Sequence, residues 1–480
     1  MEYSGRCLKH AYALSIVVLV HISASLSLFH HHADATRCVE REGEALLAIK
    51  QDLVDKGDRL SSWGSGSEAQ KQDCCRWEGV YCDNQTGLVL QLDLGSAYSS
   101  GKISPKLIEL HHLTYLDLSG NDFNGSQIPP FIGSLTNLRY LDLNSAGFGG
   151  QIPYQLVNLT HLQHLDLGCN DFFVYVENLN WLPHLSSLKY LDMTATNLSN
   201  VFDWLEKVNK LTNLRNLTLE LCDLPPPFLS TLSHINSSKS LASVDLYGNN
   251  VISSIFKWLC NYNTTLVHLD LSSSKLSGLL PDVFGNMSSL GYLSLSDNQL
   301  EGGIPDSFAK LCGLQYLVIS FNNLSGYISN LFESSCAQNS LEFLDVGFNQ
   351  LAGPFPDLTK FLALKTLYLN TNQLSGTIPE GIGQLSKLEE IYVDNNHLEG
   401  VISETHFSQL SKLKYLDLSS NSLVLDFHPE WVPPFQLDHL YLGSCKMGPL
   451  FPKWLQTQKN LDFLSISDAG ISESPIPSWF

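Results

Sequence analysis

Leucine recurs along this chain with a period too regular to arise by chance. Taking the first leucine-type position of each unit, the series runs Val89, Leu113, Leu138, Leu162, Leu188, Leu214, Leu241, Leu266, Leu290, Leu314, Leu341, Leu364, Leu388, Leu413, Leu437 and Leu461. Spacings are 23 to 27 residues, giving fifteen complete units and a broken sixteenth. A period of that length means stacked supersecondary units, each too small to bury its own apolar face, so stability must come from the stack.

The stretch LKTLYLNTNQLSGTIPEGIGQLSKL, from Leu364 to Leu388, shows what one unit demands. Its L-x-x-L-x-L start alternates with period two, turning Leu367 and Leu369 inward and Lys365, Thr366, Tyr368, Asn370 and Thr371 outward. Asn372 then leaves the strand, where its amide can satisfy backbone groups of neighbouring coils. Leu374, Ile378, Ile382 and Leu385 return the chain, and Pro379 suits that segment because it donates nothing to a ladder. This is a leucine-rich repeat. The expected fold is an α/β solenoid: a curved leucine-rich-repeat superhelix with a parallel β-sheet on its concave face and an N-terminal disulfide-bonded cap.

Residues 1–35 read as a signal peptide, with Arg6 and Lys9 before an apolar run, Leu14 to Leu28, that is short for a membrane span. Ala33-Asp34-Ala35 has the small-x-small form of a cleavage site, which would leave Thr36 first; an uncleaved anchor is the alternative. His30, His31 and His32 fall in the discarded segment and are assigned no role. Residues 36–88 form the cap and 89–480 the repeats. In the cap, Leu46, Ile49, Leu53 and Val54 share one face of an expected helix over Glu42–Val54, and Trp63 and Trp77 add bulk. Cys38, Cys74, Cys75 and Cys82 in a secreted chain imply two disulfides with three connectivities, and neighbouring Cys74 and Cys75 should bond different partners. Their spacing lacks the paired C-x2-C of a zinc site.

Further along, Cys312 and Cys336 each stand 22 residues after the first position of their repeat, which places them one strand apart and within disulfide reach. Cys222 and Cys445 occupy the asparagine position and read as buried thiols, whereas for Cys169 and Cys260 the spacing names no partner. Between Leu162 and Leu266 the G-x-I-P element is missing, and segments such as VFDWLEKVNK are expected to turn helical. VLDFHPEWVPPFQ, Val424 to Gln436, is a second departure.

A net charge of −20 argues against nucleic acid, whose phosphates need lysine and arginine. No phosphate-binding loop, H-E-x-x-H or G-x-S-x-G is present, so neither an enzyme nor a cofactor is expected. An aspartate column at the fifth strand position (Asp117, Asp142, Asp166, Asp192, Asp245, Asp270, Asp345, Asp417) reads as a ladder of surface acids, preferred over a calcium site. From the tenth repeat on, outward positions become aromatic. Tyr316, Phe321, Phe343, Phe348, Tyr368, Tyr392 and Tyr441, with Glu390 and Asp394 beside them to meet a basic ligand, are the candidate ligand surface; stacking between strands is the rival explanation. Sequons at Asn84, Asn124, Asn158, Asn197, Asn236, Asn263, Asn286 and Asn323 imply a glycoprotein, while Asn216, beside a strand core, is expected to stay bare.

LSGTIPEGIGQLSKL resembles the plant-specific class of repeat, and LLAIK, LSSW and CCRWEGVYC resemble the plant N-terminal cap. PEWVPPFQLDHLYLGSCKMGPLFPKWLQTQKNLDFLSISDAGIS resembles plant receptor-like proteins of the fungal-xylanase-receptor type, cell-surface immune receptors without a kinase domain. That resemblance implies pairing of Cys38 with Cys74 and of Cys75 with Cys82. It implies a protein, peptide or glycan elicitor as ligand, and a co-receptor kinase supplied in trans. It also implies a place in the secretory pathway, ending at the outer face of the plasma membrane or in the apoplast. Such proteins continue into further repeats, a cap and a membrane helix, so these 480 residues are expected to be an N-terminal part of the ectodomain. The rival readings are a secreted inhibitor of microbial wall-degrading enzymes, similar to polygalacturonase-inhibiting proteins, and a soluble decoy or truncated product.

Overall fold

The computed structural model describes residues 37–64, 73–170, 172–227, 240–333, 335–472 and 477–478. The expected signal segment and the sequon at Asn236 lie outside them. The chain divides into two compact units, residues 1–238 and 239–480.

The first unit opens with the helix Glu40–Asp52, which buries Leu46 and Ile49. Glu42, also buried, accepts the Val89 N–H at 2.7 Å and so fixes the helix to the first repeat strand. The helix is shorter than the apolar periodicity suggests. Leu53–Asp55 leaves it to pair antiparallel with Ser99–Gly101, which puts Val54 58% exposed and Leu53 only half-buried. The cause is local: the Asp55 carboxylate accepts the N–H groups of Arg59 and Leu60, turning the chain, while Lys50 Nζ holds the Leu60 and Trp63 carbonyls at 2.7 and 2.9 Å. Trp63 and Trp77 stack with ring centres 5.6 Å apart in the interior of the cap. Disulfides join Cys38 to Cys74 and Cys75 to Cys82.

Val80–Cys82 pairs antiparallel with Val89–Asp93, and from there the strands of the main sheet are parallel and in register. In the first unit the ladder runs through Tyr115–Asp117, Tyr140–Asp142, His164–Asp166 and Tyr190–Asp192 to Asn216–Thr218. In the second it runs from Ser243–Asp245 to Phe463–Ser465. The central aliphatic residue of each strand up to His439–Tyr441 is buried, Leu464 of the last strand is half-buried, and the two flanking side chains share the other face. A second parallel sheet of seven strands in this unit, Ser277–Leu279 to Ser422–Leu425, comes from the residues that follow the asparagine.

The return segments are 3-10 turns. Pro129, Pro153, Pro281, Pro305, Pro379 and Pro452 each stand at the N-cap of one, with φ between −63 and −79°. That is the φ a proline ring imposes, so G-x-I-P is the start signal of the return turn. Where it is missing, the return becomes helical: Trp204–Asn209 and Phe256–Leu259 are α-helical and bury Trp204 and Trp258. Val424–Gln436 instead gathers Phe427, Trp431 and Phe435 against Phe407 and Trp454.

Asparagines stitch the coils. Asn372 accepts the Leu351 N–H of the preceding coil at 2.9 Å and donates to the carbonyls of Val346, Leu369 and Asn370. Asn121, Asn170, Asn298, Asn322, Asn349, Asn396 and Asn421 repeat this geometry. Cys222 and Cys445, in the same column, are buried free thiols donating to the Met193 and Leu418 carbonyls. Cys312 and Cys336 are bonded across adjacent return segments, and Cys260 is a free, half-buried thiol.

Candidate ligand-binding face

Three outward columns cross the main sheet. The first holds residues such as Tyr115, Tyr140, His164 and Tyr190 in the first unit and Tyr292, Tyr316 and Phe343 in the second. The second holds the aspartates. Residues just before the asparagine form the third, and they share a left-handed backbone: Asp297, Phe321, Phe348, Thr371, Asn395 and Ser420 all have φ between 52 and 54°.

The aspartates are not the surface acids their spacing suggested. Asp166, Asp192, Asp245 and Asp270 are buried, and Asp117, Asp142, Asp345 and Asp417 are half-buried. Each carboxylate accepts the backbone N–H two residues on, as Asp117 does from Ser119 at 2.9 Å and Asp345 from Gly347 at 3.0 Å. A tyrosine two residues earlier donates its hydroxyl to the other oxygen at Asp117, Asp142 and Asp192. The rings of the neighbouring column lie over the acids and exclude water, so burial pushes up the carboxyls of Asp117, Asp142, Asp166, Asp345 and Asp417, and that of Asp270 to about 6.

The aromatic positions are brought together on the second unit, though less freely exposed than their outward register implied. Phe321 and Phe348 stack face to face at 4.1 Å and remain 52% and 41% exposed. They border a cleft of about 300 Å3 completed by Tyr368, Tyr392, Asp345 and Asn370. In the sequence Asp345 reads only as a member of the acid column and Asn370 only as an outward strand residue; neither is assigned to the ligand surface there, and the signal is their register with residues that are. Gly347 keeps the floor open, since a Cβ there would stand 2.6 Å from Asn370 Oδ1. Glu390 accepts the Tyr368 hydroxyl, which fixes that ring at the rim. Asp394 sits in the next strand with a buried Oδ1 that has no hydrogen-bond partner, and burial and Asp417 push its carboxyl up to about 6.

Tyr316 and Phe343 stack at 5.9 Å in the first column, outside the cleft, and Tyr441 packs on Phe463 two strands beyond Tyr392. Phe343, Tyr368, Tyr392 and Tyr441 are half-buried by their neighbours, so cross-strand stacking and exposure coexist. Asn84, Asn124, Asn158, Asn197, Asn286 and Asn323 are exposed, and Asn263 is half-buried. Asn216 is half-buried within its strand, in register with Tyr190.

Fold, register and disulfide-bonded N-terminal cap together define a leucine-rich-repeat solenoid. The profile of the leucine-rich repeat region matches residues 87–279, that of the leucine rich repeat N-terminal domain 39–83, and that of the leucine rich repeat 264–324. Among relatives, tomato (Solanum lycopersicum) receptor-like protein EIX1 is 38% identical over 93% of this chain and 51% of its own length. Receptor-like protein EIX2 of tomato is 39% identical over 96% and 53%. The solved Arabidopsis receptor kinase HAESA, in complex with the peptide hormone IDA and the co-receptor SERK1, superposes with a TM-score of 0.66. It is 25% identical over 89% of this chain and 82% of that one. The chain belongs to the plant leucine-rich-repeat receptor-like proteins. It spans about half the length of the curated relatives it matches.

Proposed function

We propose that this chain is the recognition part of a plant cell-surface receptor-like protein acting in defence, and that the cleft edged by Phe321 and Phe348 receives a peptide segment of its ligand. The signal segment would deliver it to the outer face of the membrane, and a co-receptor kinase would transmit binding in trans. One observation carries the reading. Two adjacent repeats of the second unit place phenylalanine at a left-handed backbone position, where a bulky residue is disfavoured; the column otherwise holds Asp, Asn, Ser, Thr, Gly, Ala and Cys, with Leu221 of the first unit as its other large side chain. The rings then stay exposed. Strain kept to display apolar surface is characteristic of binding sites. The Asp345 and Asp394 carboxylates beside the rings favour a lysine or arginine next to an apolar residue, a chemistry in which charge complements a desolvated anion. The Arabidopsis receptor in the superposition binds a peptide hormone on the same type of scaffold.

The test is selection from a randomised synthetic peptide library on the secreted wild-type chain and on the Phe321→Ser/Phe348→Ser double variant. Enrichment of basic-apolar sequences on wild type, lost on the variant, is expected. Equal recovery on both proteins would overturn the reading, and selective retention of array-printed glycans instead would replace the peptide by a sugar.

A further inference from the structure

The first unit holds a feature that recognition by the second does not use. His164 lies in the outward column between Tyr140 and Tyr190, its ring centre 4.1 Å from each, so both its faces are covered. Its Nε2 is buried from solvent and has no hydrogen-bond partner. Asp166, two residues on, is buried, and Asp142 lies directly across the ladder from it. One ring nitrogen of His164 and one oxygen from each carboxylate lie within 4.8 Å of one another. Among the described residues no lysine or arginine pairs with either acid.

Two adjacent carboxylates withdrawn from water without a cation are electrostatically costly. The protein donors around them are few: Asn144 N–H and Tyr140 O–H on Asp142, Gly168 N–H and Asn144 Nδ2 on Asp166. Gly168, whose N–H donates to Asp166, is packed closely: a Cβ there would meet Asp192 Oδ1 at 2.8 Å and Asn144 Nδ2 at 3.1 Å. An imidazole lone pair without a donor, facing two anionic oxygens, is the ligand set of a borderline divalent metal ion; calcium prefers oxygen alone.

We infer that Asp142, His164 and Asp166 form a binding site for a divalent transition-metal ion of the zinc or manganese class, clamping two neighbouring coils of the first unit. The tyrosines on either side hold the imidazole upright, a positioning role. The sister arrangement in the second unit, His268 with Asp245 and Asp270, differs. There Nε2 already faces Asp245 Oδ2 at 4.0 Å, and among the described ring contacts His268 is stacked on one side only, by Tyr292. It provides an internal control.

The experiment uses the secreted chain without affinity tag and with His30, His31 and His32 changed to alanine. After chelator treatment, ZnCl2, MnCl2 and CaCl2 are titrated separately by calorimetry, with thermal unfolding in parallel. One saturable site for zinc or manganese is expected, with calcium at least about tenfold weaker and the melting point raised by the ion. His164→Phe preserves the ring stack and should weaken binding about tenfold or more, and His268→Phe should leave it unchanged. Asp142→Asn keeps the backbone acceptor and serves if the phenylalanine variant fails to fold. Absence of a saturable site, or binding indifferent to both Asp142→Asn and His164→Phe, overturns the inference and leaves the two acids holding protons instead.

Discussion

Phe321 and Phe348 set a local preference against a surface property. A left-handed φ costs each of the two rings about 1 kcal/mol, and the one stacked pair returns about half of that total. Replacing both by serine should therefore leave the melting temperature within a few degrees of wild type while abolishing peptide enrichment. A large loss of stability would mean the rings are core rather than display. Asp270 is a second residue whose effect has a definite sign. Its folded pKa of about 6 exceeds the ordinary carboxylate value of 3.8. Between those values the folded state retains a proton that the unfolded state has released, so Asp270's contribution to stability falls as pH rises from about 4 to about 6 and is flat above. Asp270→Asn keeps the acceptor for the Ser272 N–H and removes that penalty. Its melting point should match wild type near pH 4 and exceed it at pH 7; a pH-independent difference would rule the mechanism out. Residue spacing alone revealed the aspartate column but not its burial, because the tyrosine two residues earlier covers the acid only once strands are stacked.

At the scale of the repeat, what the chain encodes most openly is the coil: leucine period, asparagine and G-x-I-P each act within one unit. The end of the cap helix was less legible, since Leu53 and Val54 continue the apolar periodicity and yield only to a strand 46 residues away, at Ser99–Gly101. The cleft was half legible: its aromatics stand out by composition, whereas Asp345 and Asn370 become lining residues through register with neighbouring repeats. Asparagine coupling gives a pair of opposed predictions. Asn372→Ala leaves buried backbone groups unpaired and should cost about 3 kcal/mol in denaturant unfolding. Ser274 occupies the same column, but its hydroxyl is buried without a partner. Ser274→Asn should restore the amide and add about 1 kcal/mol; no gain would mean that the coil there is too tight for the larger side chain. Removing Cys312–Cys336, with its 24-residue separation, should cost about 3 kcal/mol on the loop-entropy estimate.

Over the molecule, surface carbohydrate follows exposure. Glycopeptide mass spectrometry should find sugar at Asn84, Asn124, Asn158, Asn197, Asn286 and Asn323 and none at Asn216, whose half-buried amide sits within a strand. Beyond Asn323 there is no further sequon, so the cleft side of the second unit would remain bare. The asparagine column has a mechanical corollary. Each amide ties its own coil to the one before, so force applied at the C-terminal end of the second unit is borne one link at a time. The Cys445 side chain accepts no amide hydrogen and adds to the backbone ladder only a single thiol donation to Leu418. A solenoid tensioned from that end would therefore yield at the Cys445 coil before reaching Asn421, giving way in small steps that leave the recognition cleft intact.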